Sequence, residues 1–443
     1  MRTTKSQRGT AAAASVLLMG LVLSGCTSPE GSEVDGGGEE ALDAALAEGG
    51  TLEYWSWLPS GEAQAEAFMA EHENVTINVR NTGGVSEHNM ALQNAITAGT
   101  GVPDVIQVEY QSIAQYQLPG SLLDLTAYGL DGLEDTFTAS TWQAVTPNDG
   151  VWALPQDSAP MSMFYNASVF DANGLEVPTT WEEFIAAGEA LEASNPDLCI
   201  INDIGDAGFT TSMIWQAGGR PFKVEGDTVH IDLQDEGARL WADTWNELVE
   251  KGLNCEFPPG TNEWFQALNA GTIATLPAGP WMAAALPRLV PDGAGMWRVA
   301  PMPSYDGTPA NAENGGSAQA VTSASSSPAL AAAFLRWLST DPASFAAYPG
   351  MFPSTVAELS NEEFLAQEVE YFGGQKINEV FADGVDAVGA GWQYLPWQVY
   401  ANGIVSETVG QSYLNRTDIN DGLAEWQERN VRYAQEQGFT VEE

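Results

Sequence analysis

Trp281 follows Gly279-Pro280 directly after the β-favouring run TIATL, so a turn there would present its indole at the end of a strand. Trp57 closes a second such run, TLEYWSW at 51–57, Glu109 lies at the end of a third, PDVIQVEY at 103–110, and Asp157 follows a fourth, VWALP at 151–155. An indole face packs against C–H surface, and a carboxylate accepts two hydrogen bonds from adjacent hydroxyls with charge-assisted strength. These residue types suit a molecule that is apolar on its faces and hydroxylated around its rim, as a pyranose is. The bland reading of Glu109 and Asp157 is a solvated surface acid, which 60 Asp and Glu in 443 residues make common.

Two further stretches could serve the same chemistry. GAGWQYLPWQVYANG, 389–403, concentrates Trp392, Tyr394, Trp397 and Tyr400, and their spacing fits neither a clean helix nor a strand. It reads as a cleft-lining loop with Trp392 and Trp397 as additional stacking surfaces, core packing being the alternative. Asn314-Gly315-Gly316-Ser317 allows close backbone approach and exposes N–H groups, or is a plain loop. By contrast Trp181, Trp241, Trp245 and Trp337 sit inside helical stripes and are expected in the interior.

The same acids could do different work. A glycoside hydrolase needs two carboxylates at a set separation, one with a raised pKa, and Glu109 with Asp157 is such a pair in principle. No hydrolase motif accompanies them, and no G-x-S-x-G elbow, Walker loop or dinucleotide fingerprint occurs. His72, His88 and His230 are far apart and no CxxC is present, so neither a metal site nor a cofactor is expected.

The elements that must position these residues alternate in kind. Strands at 51–57, 75–80 and 103–110 are separated by helical patterns through Ala63–Ala70 and Asn89–Thr97, the arrangement of an α/β sheet. MSMFYN at 161–166 and MWRVAPMP near 300 add strands. Thr180 with Glu183 forms a capping box, and 231–251, 261–270, 328–340 and 419–437 are helical by period. Ligands of such sheets sit outside the carboxyl ends of the strands, where Trp57 and Glu109 fall.

The N-terminus has its own logic. Arg2, Lys5 and Arg8 precede an apolar run, Ala11 to Gly25, that is shorter than the ~20 residues of a membrane-crossing helix. It ends in Leu23-Ser24-Gly25-Cys26, which resembles the lipobox of bacterial lipoproteins and makes residues 1–25 an export signal with Cys26 the lipidated first residue. Residues 26–48 are then expected to be a flexible tether, with a reach of about 25 Å. Removing the signal takes three of the 15 cations, leaving 12 against 60 acids, a formal −48. That charge repels nucleic acid and other polyanions. Cys199 and Cys255 remain, and outside the cell a pair is most simply a disulfide worth roughly 4 kcal/mol, two buried thiols being the alternative.

Taken in order, LEYWSW, AITAGTGVPDVIQVE, LLDLTAY, VWALPQDSAPMSMFYNASVFDANGLEVPTTWEEF, AGTIATLPAGPW, and VAPMPSYDG with GGSAQAV give a pattern that resembles the family 1 extracellular solute-binding proteins of sugar ABC transporters, the group that includes maltose-binding protein. The resemblance covers 51 to about 435. It implies an α/β, two-lobed, type II periplasmic-binding-protein-like fold whose lobes are joined by hinge strands with the ligand cleft between them. By position the N-lobe would hold 49–157 and 303–370, and the C-lobe 158–302 and 371–443. It also implies that Trp281 lies under a sugar ring, that Gly315 and Gly316 reach the cleft, and that a membrane-tethered monomer outside the cell hands its sugar to an ABC permease without making or breaking a bond. The scarcity of cations favours a neutral glycan, and the further stacking surfaces of Trp392 and Trp397 an oligosaccharide.

Overall fold

A computed structural model describes residues 37–442, which leaves the signal segment and Cys26 outside the described residues. The tether expected over 26–48 is described only from Gly37 onward, and that part is not loose. Its last stretch forms helix α1, Gly38–Glu48, whose Leu42 is fully buried against the helix Pro328–Thr340. Gly37 in the left-handed conformation precedes it, and Gly49, also at positive φ, closes it. Its ALDAALA stretch, 41–47, is too short to form a stable helix alone and is held by this tertiary contact.

Two sheets organise the chain. Strands β1 (Gly50–Ser56), β2 (Val75–Asn81) and β3 (Val105–Glu109) are parallel, with α2 (Gly61–Glu71) and α3 (Val85–Ala98) in the connections. The strand Ser317–Val321 then adds antiparallel to β3 and pairs on its other side with β4, Leu154–Pro155. β3 reads VIQVE because a central strand is covered on both faces, and its first four residues are all buried. The core over this sheet includes Tyr54, Phe68, Ile106 and, from the helix Pro328–Thr340, Phe334 and Leu338.

The second sheet places β5, Ser162–Asn166, between antiparallel strands Thr275–Ala278 and Trp297–Ala300. Phe164, Leu268, Trp297 and Phe372 pack on it, and a neighbouring cluster gathers Trp181, Trp241, Trp245 and Trp426. The four tryptophans expected in the interior are all buried. The capping box forms as expected: Glu183 N–H donates to Thr180 Oγ1 at 3.2 Å, and Thr180 N–H donates to Glu183 Oε2 at 3.3 Å. One boundary differs. The helix expected over 231–251 begins at Glu236, because Thr228–Ile231 is spent on a hairpin with Phe222–Glu225.

Two crossings tie the sheets together, the chain after β4 and the chain between Ala300 and Ser317. They run alongside each other: Met161 N–H donates to the Ala312 carbonyl at 2.9 Å and Asn314 N–H to the Ala159 carbonyl at 2.8 Å. The stretch after Tyr348 serves both sides, since Thr355 bridges to Phe137 near the first sheet while Phe352 packs in the core of the second. Cys199 and Cys255 form a disulfide with Cα atoms 5.7 Å apart, beside the short parallel pair Ile201–Asn202 and Asn254–Cys255.

Candidate functional site

Strand ends decide where the site lies. Trp57 is the first residue beyond β1, and Glu109 is the last residue of parallel β3, so both stand at carboxyl ends of one sheet. Ser317 pairs with Glu109 across the antiparallel ladder, which brings Gly315 and Gly316 to the same edge. Asp157 arrives from the first crossing. From the second sheet, Trp281 opens the helix Trp281–Leu289 just after the strand Thr275–Ala278. A cavity of about 420 Å³ brings Trp57, Glu109, Asp157, Trp281, Gly315 and Gly316 together.

Each is held for a physical reason. Trp57 meets the His88 ring edge-on at 5.1 Å, and His88 in turn shares a 2.7 Å hydrogen bond with Thr82 Oγ1. Burial pushes the imidazole down to about 4, so His88 is a neutral wedge behind the indole. Trp281 keeps 46% of its surface exposed, while its Nε1 donates to the Asn314 carbonyl at 2.8 Å. That bond turns the ring and leaves its surface toward the cavity. Gly315 and Gly316 have φ of 89° and 86°. A Cβ on Gly316 would stand 2.7 Å from the Tyr110 ring, and one on Gly315 would stand 3.4 Å from Trp281 Nε1. Gly316 is thus required by the Tyr110 ring as well as by its backbone conformation, whereas Gly315 is required by its backbone conformation alone.

Asp157 Oδ1 accepts from Ser317 N–H at 2.6 Å and from Ser317 Oγ at 2.8 Å, leaving Oδ2 as an acceptor for a ligand hydroxyl. Behind it runs a buried relay in which Ser56 Oγ donates to Gln107 Oε1 and Gln107 Nε2 donates to Ser317 Oγ. Burial pushes the Asp157 carboxyl up to about 6 against the pull of the Ser317 bonds. Burial also raises the Glu109 carboxyl, which accepts from Gln111 Nε2 at 3.0 Å. Gln111 reaches across as well, its Oε1 accepting from Asn402 Nδ2 at 2.7 Å.

The two tryptophans expected from the 389–403 loop are not in this cavity. Trp397 is 5% exposed and donates to Asn430 Oδ1 at 3.0 Å inside the core of the second sheet's lobe. Trp392 is 6% exposed and stacks on Trp215 with centroids 5.1 Å apart and planes within 5°, facing a different cavity. An amphipathic ring in an irregular loop has no period to reveal its direction, and here packing against other rings took both indoles. Tyr394, between them, is the ring of that loop that does line the cleft.

Sequence reasoning also missed Gln111, Tyr348, Asp206 and Glu313. Asp206 carries a legible signal, since it caps the helix Ala207–Gln216 by accepting from Phe209 N–H at 2.8 Å. Glu313 carries none. Its buried carboxylate lies on the second crossing and accepts from Ser140 Oγ at 2.7 Å, from Ser158 Oγ at 3.0 Å and from Ala159 N–H. Those partners lie more than 150 residues away in sequence.

A family model described as bacterial extracellular solute-binding protein matches residues 56–344. The ABC transporter associated binding protein of B. animalis subsp. lactis Bl-04, solved with β-1,6-galactobiose, is 35% identical with a TM-score of 0.79, covering 89% of this chain and 99% of that one. The galacto-N-biose-/lacto-N-biose I-binding protein of Bifidobacterium longum shares the fold at a TM-score of 0.78 and 24% identity, over 89% of this chain and 99% of its own. An arabinooligosaccharide-binding protein of Halalkalibacterium halodurans is 23% identical over 56% of this chain, a match spanning only 57% of that relative's length. These relatives are binding proteins, and their architecture is the two-lobed type II periplasmic-binding-protein fold with its cleft between the lobes. With two-thirds of its length inside the family model and a 35%-identical relative covered almost end to end, the chain belongs to the bacterial extracellular solute-binding protein family of sugar ABC transporters.

Proposed function

We propose that this chain captures a short, neutral oligosaccharide in the cleft lined by Trp281, Glu109 and Asp157 and delivers it intact to an ABC permease. The observation that carries the reading is the exposed surface of Trp281 sharing one cleft with Glu109 and Asp157, where no Lys or Arg of the described residues is among the lining. An indole stacks on the C–H face of a pyranose, carboxylates accept from its hydroxyls, and the missing cations disfavour uronic or phosphorylated sugars. Because the contacts come from both sheets, sugar would stabilise the closed arrangement by its differential affinity for it. The cleft's 420 Å³ is near the lower end of the ~300–1,000 Å³ typical of small-molecule sites, which favours a di- or trisaccharide.

The basic segment, short apolar run and Cys26 support a lipid tether on the outer face of the cell membrane, with the acyl chains supplying the anchor that a highly acidic body cannot. β-1,6-Galactobiose is the first probe to try, being the sugar bound by the 35%-identical relative. Thermal shift and calorimetry against α- and β-linked di- and trisaccharides test the proposal, with a saturable rise in Tm expected for one class. Analysis of the sugar after incubation separates capture from hydrolysis by the Glu109 and Asp157 pair: intact ligand supports capture, and released monosaccharide overturns it.

A further inference from the structure

A second cavity, larger at about 550 Å³, lies against the same loop. Ser140 and Gln143 line it from the side of the first sheet, and Trp215 and Trp392 from the side of the second. Its walls share part of the chemistry of the cleft, namely edges of a stacked indole pair, amides from Gln143 and Gln393, and the Glu313 carboxylate, and differ in carrying Lys223 paired with Glu225 at 2.6 Å. Among the described residues, Tyr394 is the one that borders both spaces. Its ring packs against the cores of both lobes and stands edge-on to Trp392, with centroids 6.0 Å apart and planes at 79°.

The phenol has carboxylates within electrostatic reach on both sides. Burial holds it protonated well above the usual tyrosine range, reinforced by Glu313 from the second cavity and Glu109 from the cleft. Packed against both cores and held edge-on by Trp392, the ring stands as a partition between the two spaces.

We propose that Tyr394 sets the length of the glycan this protein accepts: its side chain ends the cleft, and the second cavity behind it is a latent subsite that further sugar units could occupy if the ring were absent. This rests on the saccharide reading of the cleft. A chain growing toward Tyr394 meets the ring and gains no further burial, so affinity should stop rising at the unit that reaches it. Removing the ring joins the spaces and offers the next unit the Trp215 and Trp392 edges and the Gln143 and Gln393 amides.

The test is a homologous series, from disaccharide to hexasaccharide, of whichever linkage the wild type binds, titrated by calorimetry. The quantity read is the ratio of affinities for the longest member and the disaccharide. Wild type should show a ratio near one. Tyr394→Ala should raise the ratio at least tenfold, and Tyr394→Phe, which keeps the ring, should leave it where it was. Adding Ala114→Phe, whose new ring would fill the second cavity, should cancel the gain in Tyr394→Ala. An unchanged ratio in Tyr394→Ala overturns the inference. Should Tyr394→Ala fail to fold, Tyr394→Leu replaces it, and Ala114→Phe in the wild type gives an independent reading: loss of affinity for long members alone would mean the second cavity is already in use and Tyr394 is no barrier. If no saccharide of any length binds the wild type, the capture reading itself has failed; if sugars bind and the ratio stays fixed, only the role of Tyr394 has.

Discussion

Replacing Trp281 by alanine should remove most sugar binding while leaving the fold standing. The exposed 46% of the indole amounts to roughly 100 Å² of its surface, taking the area such a side chain can bury. Covering that area with the C–H face of a pyranose at ~25 cal/mol/Å² is worth about 2.5 kcal/mol, or a Kd weakened about 70-fold when the ring is gone. The fold loses less. The ring already faces water on one side, and the Asn314 carbonyl gives up one hydrogen bond, a net cost of about 1 kcal/mol. Trp281→Phe separates the two contributions, because it keeps an aromatic face and drops only the N–H; it should cost less than tenfold in affinity. Calorimetric titration with the best ligand of the panel, alongside a thermal melt, reads both quantities. A Trp281→Ala protein that melts near wild type and binds within twofold of it would refute the stacking argument and move the platform elsewhere.

Asp157→Asn keeps an acceptor for Ser317 and removes the ionisation. The wild-type carboxyl titrates near 6 when folded against an ordinary 3.8, so the folded state holds its proton longer than the unfolded chain does. That contribution is fully present below about 3.8 and is lost as pH rises through about 6, so the stability of wild type relative to Asp157→Asn should fall between about pH 4 and pH 7. At 1.36 kcal/mol per unit the shift is worth about 3 kcal/mol, which solvent in the cleft reduces to on the order of 1–2 kcal/mol; denaturant melts across that range should show the decline, and parallel curves would count against the assignment. Trp397→Ala should destabilise the protein by about 3–5 kcal/mol in urea melts while the folded fraction binds sugar with unchanged Kd, since the ring lies in the core and not in the cleft. Replacing Cys199 and Cys255 together by serine should cost about 4 kcal/mol for a loop closed across a separation of 56 residues, read in the same melts with and without reductant.

The strands and the residues at their ends were legible in the sequence wherever a position followed from a local rule. Trp57 and Glu109 stand at strand ends because apolar runs of strand length stop there, and Trp281 faces the cavity because a glycine and a proline turn the chain before it. The Thr180 and Glu183 capping box was readable for the same reason. Where the outcome depended on partners far along the chain, the reading failed. Nothing local in GAGWQYLPWQVYANG says that Trp392 will stack on Trp215, or that Trp397 will find Asn430, and so leave Tyr394 to the cleft. Glu313 is a crossing residue only because Ser140, Ser158 and Ala159 converge on it. Composition misled once, when the Gly- and Glu-rich approach to α1 concealed a helix that packing stabilises.

That helix determines where the chain can be shortened. Starting the protein at Gly50 would preserve every strand of the first sheet, yet it would uncover the socket that Leu42 fills beside the helix Pro328–Thr340. It would also strip Arg336 of Glu39, 3.5 Å away, and Asp43, 4.0 Å away. A soluble version for crystallography or biosensor use should therefore begin upstream of Gly37, because cutting at the first strand would expose a greasy notch on the outer face and invite self-association through it.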